Sequence, residues 1–306
     1  MNSLVKSERN KAVSRLVLGT AQLGMPYGIA NRTGQPDFET AVAIVKTAWE
    51  GGIREFDTAQ AYGESEAVLG RALSSLGISK DARIITKLDP NLKPHQGQDI
   101  RRAIKRSLER LQIQSLYGLM LHREDWLDNL NHGLEKTLRA LVVDGTVQDL
   151  GVSLYTPARA VQALESAIFG MIQVPANILD RRFADAGVFN LAEEKGKQIY
   201  IRSVFLQGLL LMKPEDLPAN MAFAKDTIGK IDSLCAQYQY TRQKIALLYI
   251  KGRYPYAKII IGAETPIQLE QNMNIWKDNF TSIMEIHEFD SLSIVDERII
   301  NPSLWS

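Results

Sequence analysis

A chain of 306 residues, 45% hydrophobic and 23% charged, has the composition of a folded globular protein and excludes large-scale disorder. Its 36 Lys and Arg balance 35 Asp and Glu, which removes any electrostatic case for a nucleic-acid or membrane-surface partner. The single cysteine, Cys235, excludes an intrachain disulfide and a cysteine-based zinc cluster.

The four histidines, His95, His122, His132 and His287, are scattered without the close pairing of a metal site, so no metal is expected. The opening residues, MNSLVKSERNK, are polar and lack the apolar centre of a signal peptide. No apolar run approaches the length of a membrane span. The expectation is a cytoplasmic protein.

Short apolar runs predict strands at Arg15–Leu18, Arg54–Phe56, Ile84–Lys87, Leu116–Leu121, Gln148–Val152, Met171–Val174, Gln198–Ile201 and Lys258–Ile261. Helical periodicity separates them. Ala41, Val45, Ala48 and Trp49 share one face, as do Leu69, Leu73 and Leu76, and then Ile100, Ile104, Leu108 and Leu111. Gly51, Gly52, Gly77, Gly145 and Gly196 stand where these helices should stop.

Strands alternating with helices at a spacing of roughly thirty residues imply parallel βα units. Eight such units fit a closed (β/α)8 TIM barrel better than an open sheet, and no linker divides residues 1–306, so one α/β barrel domain is expected. Such a barrel places functional residues at the C-terminal ends of its strands. Asp57 follows the second strand, and Tyr62 lies five residues later, before a helix starting near Glu64. Lys87 closes the third strand in RIITK, and His122 closes the fourth in LYGLMLH.

Each of these four has an ordinary alternative, whether a turn aspartate, a packed tyrosine or a satisfied histidine. Their convergence on one rim sets them apart. A phenol with a reference pKa near ~10 is a poor acid at neutral pH. A neighbouring ammonium is expected to lower that pKa, and a carboxylate to keep the lysine charged and placed. The set forms a general acid/base centred on Tyr62, suited to protonating a carbonyl oxygen as hydride reaches the carbon. No side chain supplies hydride, so a nicotinamide cofactor is implied.

The stretches GTAQLG, FDTAQAYG, ITK, LMLHRED and IGAETPIQLEQN, in this order from about residue 15 to 275, resemble the aldo-keto reductases. The resemblance implies a catalytic tetrad of Asp57, Tyr62, Lys87 and His122. It also implies an extended NADP(H) across the barrel rim, consistent with the lack of a G-x-G-x-x-G motif between a strand and a helix.

On the same resemblance, Ser153, Gln173 and Asn177 hold the nicotinamide amide. Arg202, Ser203, Phe205, Gln207 and Gly208 border nicotinamide and pyrophosphate, and Gly19, Thr20 and Ala21 open the cleft. The segment containing Ile261, Gly262, Ala263, Glu264 and Gln268 lies along the adenosine, with Gln271 and Asn272 at the adenine.

One departure bears on the cofactor. NADP(H)-preferring members usually carry Lys or Arg in the adenosine segment, yet no basic residue lies between Gly262 and Trp276. Gly262, Glu264 and Gln268 stand in place of those cations. A carboxylate repels a 2′-phosphate and accepts a hydrogen bond from a 2′-hydroxyl, so NAD(H) is admitted beside the family's NADP(H).

Met25 and Tyr27 in the long loop after strand one, and Trp126 close after His122, are candidate pocket walls, as is Trp305, because the C-terminal tail, about 277–306, often borders the pocket in this family. Arg123 and Arg202 are candidate attractors of anionic or sugar-like substrates. The expected partner is a small-molecule carbonyl or alcohol. Two rivals remain at this level: a non-catalytic regulatory subunit of the same fold, as in potassium-channel partners, and a Schiff-base barrel enzyme using Lys87.

Overall fold

Eight short strands, each followed by helical chain, run parallel and close on themselves in a computed structural model that describes residues 15–278, 289, 292 and 296–305. They are β1 (Leu16–Gly19), β2 (Glu55–Asp57), β3 (Arg83–Lys87), β4 (Leu116–Leu121), β5 (Val147–Ser153), β6 (Met171–Pro175), β7 (Gln198–Arg202) and β8 (Lys258–Ile261). Each pairs with the next in parallel, and β1 pairs with β8 to close the barrel. Every strand lies within one residue of the range expected from its apolar run. His287 and the opening stretch MNSLVKSERNK lie outside the described residues.

The periodicity of each segment dictates where it sits. In the helix Phe38–Glu50, Ala41, Ile44, Val45 and Ala48 are buried, and Asp37 caps the start by accepting from the Thr40 N–H at 2.8 Å. In Gly97–Leu111, Ile100, Ala103, Ile104 and Leu111 are buried while the arginines between them face out. These faces cover the outward residues of the strands, including Leu16, Leu18, Phe56, Ile84, Leu119, Ile172 and Ile201.

The inward residues form a separate cluster of Val17, Ile85, Met120, Met171 and Tyr200. A Cβ on Gly151 would meet the Met171 side chain at 2.6 Å, so a small residue on β5 makes room for a large one on β6. Beneath this plug, buried Glu55 accepts from the Tyr200 hydroxyl at 3.0 Å and from Lys258 Nζ at 2.9 Å. The barrel is thus apolar in its middle and locked by a satisfied carboxylate at its N-terminal end.

Candidate active site

The strand period of two carries the inward face one step above the apolar plug, where its character changes. Two residues beyond Glu55, Ile85, Met120, Gly151, Met171 and Tyr200 come Asp57, Lys87, His122, Ser153, Gln173 and Arg202. An almost wholly polar layer at the C-terminal mouth contributes nothing to hydrophobic packing, and burying it is costly unless its members are paired.

Pairing starts with Lys87 and Asp57, whose side chains are both buried. Lys87 Nζ donates to both carboxylate oxygens, at 2.6 and 2.8 Å, and to the Thr58 carbonyl at 3.1 Å. Gln173 Nε2 donates to Asp57 Oδ1 at 2.8 Å, so the carboxylate is held from two strands. The same lysine lies 5.0 Å from the centre of the Tyr62 ring. The Tyr62 and His122 rings meet edge to face, 5.8 Å apart at 86°. The four residues singled out in the sequence are therefore neighbours, though contributed by separate strands and a loop.

Tyr62 is fixed by a close approach of two loops. The Glu64 N–H donates to the Gly24 carbonyl at 3.1 Å. A Cβ on Gly24 would lie 2.0 Å from the Tyr62 carbonyl oxygen, and one on Gly63 (φ +54) only 2.3 Å from the Gly24 oxygen. The last glycines of GTAQLG and FDTAQAYG are thus two sides of one contact. Ser65 bonds Thr20, Oγ to carbonyl at 2.7 Å, and shares hydroxyl contacts with Thr20 and Thr58 at 2.8 and 2.9 Å.

The electrostatics correct one expectation. Burial raises the Tyr62 phenol pKa, and Asp57 raises it further, against a lowering by Arg202. Lys87, 5.0 Å from the ring centre, donates to both Asp57 oxygens, and the net direction at the phenol is upward. The phenol stays protonated across the physiological range, a persistent donor rather than an acidified one.

Burial, together with the positive charges of Lys87 and Arg202, pushes His122 down to about 3. Its Nδ1 is buried without a hydrogen-bond partner. His122 is therefore neutral across the physiological range. The unfolded imidazole takes up a proton below its ordinary pKa of about 6.5 while the folded one does not until about 3. Stability from this group is full above that ordinary value and is lost as pH falls, at a slope of up to about 1.4 kcal/mol per pH unit. Unfolding titrations of wild type and His122→Gln between pH 4 and 8 should differ in slope in that window, with the wild type steeper.

A cleft of about 380 Å³ leads from this centre across the mouth of the barrel. Of the expected cofactor residues it is lined by Gly19, Thr20, Ala21, Gln173, Arg202, Ser203, Phe205, Gln207 and Gly208, and by Ile261, Gly262, Ala263, Glu264, Gln268, Gln271 and Asn272. A second cavity of about 290 Å³ is lined by Tyr62, His122, Ser153, Tyr155, Pro175, Arg182 and residues 300–303 of the C-terminal segment. The two share Tyr27, Tyr62, Gln173, Arg202, Ser203 and Gln207. Tyr62 thus stands where a long groove meets a compact pocket.

The groove is bordered by the ends of β1, β7 and β8. Its wall after β7 reverses through left-handed backbone at Ser203 (φ 63), Leu206 (φ 49), Gln207 (φ 52) and Gly208 (φ 93), a strained run of the kind kept at ligand sites. Arg202, which lines both cavities, has a buried Nε without a partner among the described residues.

Several residues are placed differently from expectation. Ser153 lines the compact pocket and not the groove. Asn177 lines neither: its Nδ2 donates to the Ser203 carbonyl at 3.1 Å, and its Oδ1 accepts from Leu179 N–H at 2.9 Å and Asp180 N–H at 3.1 Å. Trp126 is buried in the main core. Trp305 donates its indole N–H to the Arg298 carbonyl at 2.8 Å, and Met25 lines neither cavity. Arg123 is exposed and ion-paired with Asp125. Ile300–Ser303, within the tail expected near the pocket, do line the compact cavity, whereas Tyr155, Arg182 and Gln243 gave no local signal, because only the closed fold brings them to the rim.

A parallel barrel with a buried lysine–carboxylate pair, a tyrosine and a neutral histidine around a groove at its C-terminal mouth defines a barrel enzyme equipped for proton transfer. The model of the Aldo/keto reductase family matches residues 15–294, and the chain belongs to that family of oxidoreductases, which use NAD(P)H on carbonyl substrates. Over 297 residues it is 26% identical to the NADH-specific methylglyoxal reductase of Escherichia coli (strain K12), covering 85% of this chain and 89% of that one. It is 25% identical over 276 residues to a putative voltage-gated potassium channel subunit beta of Schizosaccharomyces pombe, covering 78% and 79%. An aldo-keto reductase from Bacillus halodurans, solved in its holo form, shares the fold with a TM-score of 0.75 at 22% identity over 92% of each chain. Among the described residues no helix is long and apolar enough to cross a membrane, and no group of three His, Cys, Asp or Glu is placed to hold a metal ion.

Proposed function

We propose that this chain reduces small carbonyl compounds to alcohols, and runs the reverse reaction, with Tyr62 as the proton-transfer group and NADH as an accepted reductant. The observation that carries the reading is Tyr62, a protonated phenol, at the junction of the groove and the compact pocket, beside neutral His122 and the Lys87–Asp57 pair.

A bound nicotinamide supplies hydride to the carbonyl carbon. As the C=O π bond breaks, its electron pair goes to oxygen and Tyr62 transfers the phenolic proton there, giving the alcohol. An alkoxide is a stronger base than a phenolate, so a phenol of raised pKa still donates downhill. The phenolate left behind lies against the Lys87 ammonium, 5.0 Å from the ring centre, and regains its proton from water. His122 orients the carbonyl oxygen, and Gln173, tied to Asp57, borders the nicotinamide end.

For the cofactor, Arg202 is the one basic residue among those lining the groove, and it stands at the catalytic end, acting on Tyr62, His122 and Tyr27. Glu264 lines the far end, where burial raises its carboxyl and its backbone N–H donates to Gln268 Oε1 at 2.8 Å. Among the described residues lining that end no cation accompanies this carboxylate, which disfavours a 2′-phosphate. The NADH specificity named for the Escherichia coli relative points the same way. Steady-state kinetics should give kcat/KM with NADH at least equal to that with NADPH. A strong NADPH preference overturns the cofactor assignment and leaves the reductase reading intact.

The channel-subunit reading has one relative in its favour. The complete proton-transfer set favours turnover. The Schiff-base reading needs a free amine, whereas Lys87 is bound to both oxygens of Asp57.

A further inference from the structure

The compact pocket beside Tyr62 has an unusual charge pattern. Its lining contains two arginines, Arg182 and Arg202, and no carboxylate. Arg182 is neutralised, since its Nε and Nη2 both bond buried Asp180 at 2.9 Å. Arg202 has no salt bridge among the described residues. Its Nη1 donates to Ser203 Oγ at 3.3 Å and its Nη2 to the Leu154 carbonyl at 3.2 Å, while Nε is buried without a partner. The Arg202 guanidinium lies over the Tyr155 ring, 4.5 Å from its centre. A half-buried cation left without a counter-ion is costly unless a ligand supplies one.

The rest of the pocket fits the same chemistry. Hydroxyl and amide side chains of Tyr27, Ser153, Tyr155, Asn301 and Ser303 surround Arg202, and Ile300 is among the few aliphatic groups. A guanidinium with free N–H donors is shaped to grip a carboxylate or phosphate.

We propose that Arg202 is the substrate-selecting residue of this pocket, gripping a carboxylate or phosphate borne by a small carbonyl substrate whose C=O lies against Tyr62. This rests on the reductase reading and specifies its substrate class. The depressed basicity of His122, to which Arg202 contributes, agrees with a positive potential over the reacting oxygen.

The test compares matched aldehydes on the full chain with NADH and with NADPH: butanal against succinic semialdehyde, and glyceraldehyde against glyceraldehyde 3-phosphate. Wild type should favour the anionic member of at least one pair, and the pair with the larger ratio tells carboxylate from phosphate. In Arg202→Gln that anionic-to-neutral ratio of kcat/KM should fall about 10- to 100-fold, mostly through KM, the scale of one charge-assisted hydrogen bond. Arg202→Lys, which keeps charge and loses the fork, should fall between. Circular dichroism and the thermal unfolding midpoint of each variant report folding.

An unchanged ratio, or equal losses on both members, overturns the proposal while the reductase reading stands. Weakened cofactor binding with an unchanged ratio assigns Arg202 to the pyrophosphate and also overturns it. Absence of turnover with every aldehyde overturns the reductase reading, and this one with it.

Discussion

Tyr62→Phe is expected to lower kcat for carbonyl reduction by a factor of about 100 to 10,000, the contribution of one positioned acid. The ring survives in this variant, so its edge-to-face contact with His122 and the close approach of Gly24 and Gly63 are preserved. Cofactor binding, read by quenching of tryptophan fluorescence, should be essentially unchanged. Both kcat and kcat/KM should fall together, because the lost proton transfer is felt in the transition state and not on substrate binding. Wild-type activity across a panel of aldehydes would remove Tyr62 from the chemistry.

Lys87→Met should carry the largest cost to stability. It leaves Asp57, 3% exposed, without its counter-ion and held only by Gln173. Breaking one side of a buried pair costs about 3–5 kcal/mol. Denaturant unfolding should show that loss for the single variant, with much of it recovered in Lys87→Met/Asp57→Ala, where no charge is stranded. Turnover should be lost in both, since the phenolate no longer faces an ammonium. A double variant as unstable as the sum of the two singles would show that the pair is not coupled.

Much of this was legible in the sequence because a barrel strand writes its geometry in steps of two. Ile85–Lys87 and Met120–His122 each read as an inward apolar residue followed by an inward polar one at the mouth. Lys87 and His122 stand out in the sequence as polar residues closing apolar runs, and on β2 the inward residue before Asp57 is itself a carboxylate, Glu55. Tyr200–Arg202 has the same form, so a strict period-two reading would have placed Arg202 at the catalytic rim beside them.

What was hidden depends on loops folding back. Asn177 is a polar residue just past a strand end, like Gln173. Its backbone, however, exchanges hydrogen bonds with Asp180, N to O at 3.3 Å and O to N at 3.1 Å. That turn points the amide into its own loop. Trp126 and Trp305 are aromatics near the rim in sequence, yet one is taken by the core and the other by the Arg298 carbonyl. The expected acidification of Tyr62 failed for a related reason. Residue types show that a lysine is near, whereas only coordinates show that the phenol is buried and faces the Asp57 carboxylate.

The most direct measurement of the central claim is label transfer during a single turnover. A carbonyl substrate would be reduced by wild-type protein with NADH deuterated at the transferring C4 position in protonated water, and the product read by mass spectrometry. One deuterium on the former carbonyl carbon, together with loss of product formation in Tyr62→Phe, is the predicted result. Product carrying no deuterium on that carbon, or undiminished formation by the variant, would contradict a nicotinamide-dependent reduction whose proton comes from Tyr62.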